Sequence, residues 1–78
     1  MKERAYILIE TTVGRTAQVL QTLRGRPGIV AVDAVTGPYD IIAIIEGKDL
    51  NEIGRVVLNS VHGVEGITRT ITCPVLTA

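Results

Sequence analysis

The sequence contains no tryptophan and no phenylalanine, and Tyr6 and Tyr39 are its two aromatic residues. A core for this chain must therefore be built from isoleucine, valine and leucine, within an apolar fraction of 46%. The shortage of aromatic platforms, together with the lack of a basic surface, excludes base stacking on an open sheet, the device used by small RNA-binding α+β domains. Net charge is missing as well: eight basic and eight acidic residues cancel, and the pI is near 6.5. Such a chain carries no electrostatic footprint for nucleic acid or for an anionic membrane.

Cysteine chemistry is equally sparse. Cys73 stands alone, which excludes an internal disulfide, and no Cys or His lies at metal-ligand spacing from it. It reads as a small apolar strand residue. The one histidine, His62, falls at a predicted helix end, where an imidazolium complements the helix dipole, and this structural reading is favoured over general acid–base use. A Cys-x-x-Cys pair for metal transfer and a Gly-x-x-x-x-Gly-Lys-Ser/Thr phosphate loop are both absent. No cofactor, metal site or catalytic residue is expected. The N-terminal Met1-Lys2-Glu3-Arg4 leads straight into apolar alternation without a signal-peptide core, and no apolar run approaches the ~20 residues that span a bilayer. The expectation is a cytoplasmic protein.

What the chain does contain is regular patterning. Its 78 residues suffice for one domain with a thin core, a size at which oligomerisation is a common supplement. Ala5 to Thr11, Ile29 to Val35, Ile41 to Glu46 and Ile67 to Cys73 are rich in β-branched residues and predict strands. Between the first two, Val13, Ala17, Leu20 and Leu23 predict a helical stripe that stops at Gly25 and Pro27. Between the last two, Asp49 and Glu52 form a capping-box pattern ahead of a second stripe, Leu50, Ile53, Val57 and Val61, which stops at Gly63.

The two halves repeat each other. A constant offset of 38 residues separates Leu20 from Leu58, Gly25 from Gly63, Gly28 from Gly66 and Ile29 from Ile67, so each half ends its helix and starts its strand with Gly-x-x-Gly-Ile. Both copies read as turns that need glycine freedom. Two βαβ halves with right-handed crossovers predict a ferredoxin-like βαββαβ α+β fold: a four-stranded antiparallel sheet with two helices on one face. The other face is then bare. In the third strand Ile41, Ala43 and Ile45 point one way and Ile42 and Ile44 the other; in the second, Val30, Val32 and Ala34 oppose Ile29, Ala31 and Val35. An exposed apolar face of that kind predicts pairing with another subunit.

The hairpin between the halves, Val35-Thr36-Gly37-Pro38-Tyr39-Asp40, joins a phenol and a carboxylate to a strand apolar on both faces. Gly37 and Pro38 supply the turn. Asp40 either accepts hydrogen bonds from the turn's own amides or holds a ligand ammonium while amides near Gly37 hold a carboxylate, the charge pair of an α-amino acid. Thr68, Thr70 and Thr72 alternate along the last strand and are either cross-strand contacts or a row of donors to a ligand.

Val-Thr-Gly-Pro-Tyr-Asp-Ile-Ile-Ala at 35–43, with Pro-Gly-Ile-Val-Ala-Val at 27–32 and Val-Glu-Gly-Ile-Thr-Arg-Thr-Ile-Thr at 64–72, resembles the C-terminal effector domain of Lrp/AsnC transcriptional regulators. The resemblance covers nearly the whole chain. It implies a domain that dimerises through its sheets, assembles into tetramers or octamers, and binds amino acids at subunit interfaces. It further implies an effector site lined by Gly37, Tyr39 and Asp40, with Thr68 or Thr70 contributed by a neighbouring chain as secondary candidates. Members usually carry a helix-turn-helix domain ahead of this one. Here strand one is expected by about residue 5, so the expectation is a stand-alone module, residues 1–78, that co-assembles with full-length regulators or senses an amino acid for another partner without contacting DNA. Two alternatives stay open: a small enzyme of the dimeric α+β-barrel type, and an oligomerisation module without ligand.

Overall fold

The computed structural model describes residues 2–76. Strands β1 (Glu3–Thr11), β2 (Ile29–Ala34), β3 (Ile41–Gly47) and β4 (Ile67–Pro74) form one antiparallel sheet in the order β2-β3-β1-β4. Helices α1 (Thr16–Leu23) and α2 (Leu50–Val56) cross over between β1 and β2 and between β3 and β4, giving the expected βαββαβ fold. The core lies between sheet and helices. Ala5, Ile7 and Ile9 of β1 and Ile41, Ala43 and Ile45 of β3 are buried on one side, against Val19 and Leu23 of α1 and Ile53 of α2. Burying one such isoleucine stabilises the fold by about 1.5–3 kcal/mol.

The α1 stripe differs from the sequence expectation. Val13 is 98% exposed and Ala17 is exposed, while Val19 and Leu23 are fully buried. The reason is where the helix starts: Val13 and Gly14 belong to the turn before Thr16, so the inward face reads Thr16, Val19, Leu20 and Leu23. In α2 the stripe holds from Ile53 onward, but Leu50 in the first turn is 59% exposed. The capping box is formed, with the Glu52 N–H donating to Asp49 Oδ1 at 2.8 Å. Its return arm reaches one residue further out, because the Lys48 N–H, not that of Asp49, donates to Glu52 Oε1 at 2.9 Å. After Val56 the helix widens into a π-helical turn, Val57–Val61, closed by the His62 N–H donating to Val57 O at 2.8 Å.

Strand β2 also departs from simple alternation. Its register against β3 shifts between Ile29 and Ala31, leaving Val30 as an extra residue that is 56% exposed. Ile29 pairs with Ile45 and Val32 with Ala43, so both lie on the helix side, while Ala31 and Asp33 lie on the open side; Val35 falls outside the strand. The open face is nonetheless apolar at its centre. Ala31, Ile44, Tyr6 and Cys73 form one cross-strand row, and Asp33, Ile42, Leu8 and Ile71 form the next, with the charge of Asp33 at the β2 edge. Charge brackets this patch at one end, where Arg4 Nη2 meets Glu46 Oε2 at 2.6 Å and Lys2 Nζ lies 3.9 Å from Glu46 Oε1.

Candidate functional site

The end of the sheet where β3 begins is held together by Asp40. Strand β1 runs on past its last partner on β3, the Ile9–Ile41 pair, so the N–H of Thr11 has no strand carbonyl to meet. Asp40 fills that place: its Oδ2 accepts from the Thr11 N–H at 2.8 Å, and its own N–H donates to Ile9 O at 2.9 Å. The hairpin is closed by the Val35 N–H donating to Asp40 O at 2.9 Å. Asp40 thus reaches across to β1, and its carboxylate does not serve the amides of its own turn. That engagement satisfies a backbone donor and leaves the second carboxylate oxygen, Oδ1, without a protein donor among the described residues.

Gly37 has φ +149, a conformation open to glycine and unfavourable for other residues, and it is exposed at the tip of the turn. Tyr39 is half-buried beside it. Among the described residues neither the Gly37 N–H, the Tyr39 N–H nor the Tyr39 phenol makes a hydrogen bond within the chain. Unused amide donors and a half-committed carboxylate therefore sit within four residues of one another. Such a pair can meet the carboxylate and the ammonium of an amino acid.

The two threonines belong to a different part of the same sheet end. The pairing of β1 with β4 shifts between Glu10 and Thr11, and Thr68 is the extra residue on β4. Its hydroxyl donates to Glu10 O at 3.2 Å, and the Thr12 N–H donates to Gly66 O at 2.8 Å. Thr70 pairs with Ile9 and is half-buried, while Thr72 pairs with Ile7 and is exposed. The shift interrupts the alternation, so Thr70 and Thr72 share a side and Thr68 is set apart from them. Thr68 and Thr70 line a shallow cleft of about 380 Å³ together with His62, Glu65 and Arg69. Gly37, Tyr39 and Asp40 are not part of it. Within one chain the five residues therefore form two groups, connected through the end of β1.

His62 is exposed and terminates the π-helical turn. Ser60, two residues earlier, is buried, and its hydroxyl donates to Pro27 O at 3.3 Å. Among the described residues no group of three or more His, Cys, Asp or Glu side chains is placed to hold a metal ion. Among the described residues no helix is long and apolar enough to cross a membrane.

Residues 4–78 match the model of the Lrp/AsnC ligand-binding domain. The chain belongs to that family. The Lrp/AsnC domain is 31% identical over 71 residues to the HTH-type transcriptional regulator LysM of Saccharolobus solfataricus, a match covering 87% of this chain and 50% of LysM. It is also 36% identical over 61 residues to a homocitrate synthase of Sulfurisphaera tokodaii, covering 78% of this chain but 13% of the synthase. The chain thus spans no more than half of these relatives. Among solved structures, TTHA0845 from Thermus thermophilus superposes with a TM-score of 0.89 at 32% identity, covering 97% of this chain and 95% of that one. The regulator NMB0573 of Neisseria meningitidis, solved as a complex with L-Met, shares the fold at a TM-score of 0.81 and 21% identity, with 96% of this chain and 50% of that one covered. The relatives are mostly named as HTH-type transcriptional regulators, and the matching family model is that of a ligand-binding domain.

Two features of the Lrp/AsnC domain escaped the sequence. The Arg4–Glu46 pair follows from the β1–β3 register, which brings residues 42 positions apart face to face. Arg26, which ties the end of α1 to the π-helical turn, gives no local signal at all, because its acceptors are main-chain carbonyls of Thr22 and Ser60.

Proposed function

We propose that this chain is an oligomeric amino-acid-binding module that regulates transcription or metabolism without catalysing a reaction or contacting DNA itself. The observation that carries this reading is the turn at 37–40, where among the described residues the Gly37 and Tyr39 amides and Asp40 Oδ1 have no protein partner. Zero net charge supports the absence of direct DNA contact. The match to a homocitrate synthase supports a metabolic output, since it shows the domain's sequence within a protein named as an enzyme as well as within regulators. The L-Met complex of NMB0573 supports an amino acid as ligand. The module acts in the cytoplasm and co-assembles with itself or with full-length Lrp/AsnC regulators.

In this reading the open face, centred on Tyr6, Leu8, Ile42, Ile44 and Ile71, packs against a second copy, and dimers join into tetramers or octamers. Thr68 and Thr70 of one chain then complete the site at Gly37, Tyr39 and Asp40 of another. A stable dimer of this kind buries about 800 Å² per partner. Sedimentation at micromolar concentration tests the assembly, and a sole species of 8.4 kDa would overturn it.

Calorimetry with each proteinogenic amino acid tests the ligand. Two substitutions separate binding from folding. Asp40→Asn keeps an oxygen to accept from Thr11 but removes the charge, so it retains the fold and loses binding; Asp40→Ala removes both. A flat response of the unaltered protein to every amino acid, or binding unchanged in Asp40→Asn, refutes the assignment.

A further inference from the structure

We propose that the cleft between the 26–28 loop and the α2 to π-turn segment binds a small metabolite carrying an oxyanion, phosphate or carboxylate, through Arg26 and Arg55. The cleft has a volume of about 480 Å³, and its polar lining is Arg26, Glu52, Arg55, Asn59 and Ser60. That volume is within the roughly 300–1,000 Å³ of small-molecule sites. It lies on the helix side of the sheet, remote from both the open face and the turn at 37–40.

Arg26 is held in place by its neighbours. Its Nε donates to Thr22 O at 3.0 Å and its Nη1 to Ser60 O at 3.3 Å. A guanidinium has five N–H donors, so the Nη2 pair remains for a ligand on a side chain already fixed in position. Arg55, in the last turn of α2, is exposed and makes no hydrogen bond or ion pair among the described residues. The one carboxylate in the lining, Glu52, is turned to the capping box, where it accepts from the Lys48 N–H, and it pairs with neither arginine. Two positive charges therefore border one cleft with no ion pair to either among the described residues.

The walls are also built closely. Ser60 Oγ donates to Pro27 O at 3.3 Å, and Gly28 approaches α2 so tightly that a Cβ there would lie 2.5 Å from Val56 Cγ2. The duplication shows that the arginines are not required for this architecture. At the 38-residue offset, Val64 stands where Arg26 does and Ala17 where Arg55 does. Yet both halves form the same turn, with φ +78 and +85 at Gly25 and Gly28 and +81 and +99 at Gly63 and Gly66. The two arginines come from different halves, Arg26 from the first and Arg55 from the second, neither has a basic counterpart in the other half, and their planar forks suit bidentate recognition of an oxyanion.

The test is a titration of the isotopically labelled chain with inorganic phosphate and, separately, with succinate, at constant ionic strength, followed by NMR. Saturable shifts of the Arg26 and Arg55 Nε–H signals and of the Asn59 and Ser60 amides, with a Kd of about 1 mM or below, are expected for at least one probe. Saturation by phosphate alone assigns a phosphorylated ligand, by succinate alone a dicarboxylate, and by both an oxyanion cleft indifferent to the two. Arg26→Gln also breaks the ties to Thr22 and Ser60, so Arg55→Gln, at an exposed residue with no such ties, is the deciding variant. It weakens binding at least about tenfold, the loss of one charge-assisted pair, with the remaining spectrum unchanged. Shifts that fail to saturate, that chloride reproduces, or that saturate with unchanged affinity in Arg55→Gln overturn the proposal. Because no amino acid is used, failure here leaves the reading of the 37–40 turn untouched.

Discussion

Replacing Gly28 by alanine should be the most damaging single-methyl change outside the core, and its cost can be worked from two separable causes. The first is the backbone. At φ +85 an alanine is strained by about 1–2 kcal/mol. The second is space: the new Cβ would lie 2.5 Å from Val56 Cγ2 and 2.8 Å from Val56 Cγ1, so the 26–28 loop or α2 must move. Overpacking of that kind costs about 1–3 kcal/mol. Together they give about 2–5 kcal/mol, a large share of the roughly 4–12 kcal/mol expected for a domain of 78 residues. Gly25→Ala provides the control, because Gly25 has nearly the same φ, +78, but nothing within 4 Å of the added atom. Any entropic effect on the unfolded chain is shared by the two variants, so their difference isolates the contact at about 1–3 kcal/mol. Urea unfolding at one fixed protein concentration measures it, since assembly would otherwise mix into the apparent stability. Val56→Ala, which deletes both offending methyls, should recover part of the loss in the Gly28→Ala background. Equal stability of the two glycine variants, or strict additivity with Val56→Ala, would refute the close-approach argument.

Three further outcomes follow from the same geometry. The hydrogen bond from Arg4, reinforced by the charges of Arg4 and Lys2 and opposed by partial desolvation, holds the Glu46 carboxyl below its ordinary range. Its contribution to stability is therefore present above the unfolded-state pKa and is lost as pH falls through the lower folded-state value. NMR titration should show Glu46 protonating below the ordinary glutamate range, and Arg4→Gln should bring it back up. Asp49→Ala removes the acceptor for the Glu52 N–H and should cost about 1 kcal/mol by thermal or urea unfolding, whereas a change inside measurement error would count against the cap. Leu23→Ala should cost about 2–5 kcal/mol while Val13→Ala stays within about 0.5 kcal/mol; the reverse order would show that α1 faces the sheet differently.

The four strands, the two crossover helices and the position of the hairpin were legible because each rests on local pattern: β-branched runs, Gly-x-x-Gly-Ile punctuation, and the Asp49–Glu52 pair. What failed depended on partners distant in the chain. The bulge at Val30 cannot be read from Ile-Val-Ala-Val, since it exists only relative to the β3 register. Thr68 is displaced from the threonine row for the same reason, by a shift against Glu10 and Thr11. Val13 and Val19 both fit a 3.6-residue period, and only the start of α1 at Thr16 decides between them. At the candidate site, residue types pointed to the turn, but not to the partner of Asp40, which lies 29 residues away on β1.

That partner changes how ligand binding at the turn would be transmitted under the proposed reading. An ammonium at the second oxygen of Asp40 draws on a carboxylate already bonded to Thr11, so the ligand is coupled to β1 through one side chain. The same stretch of β1 is bonded on its other side to β4, through Thr68 Oγ1 to Glu10 O and Thr12 N to Gly66 O. The residues that receive a ligand and the residues proposed to complete a neighbour's site are therefore the two flanks of one strand end. A ligand that tightens Asp40 against Thr11 acts on the element that presents Thr68 to the next chain. Coupling between sites in different subunits then needs no long pathway, because each chain's donor and acceptor halves share a common backbone segment. If that holds, Thr11→Pro, which deletes the bonded N–H while leaving every ligand-facing group in place, should retain amino-acid binding by the assembled protein but lose cooperativity between its sites. A Hill coefficient unchanged from that of the unaltered protein would place the coupling elsewhere.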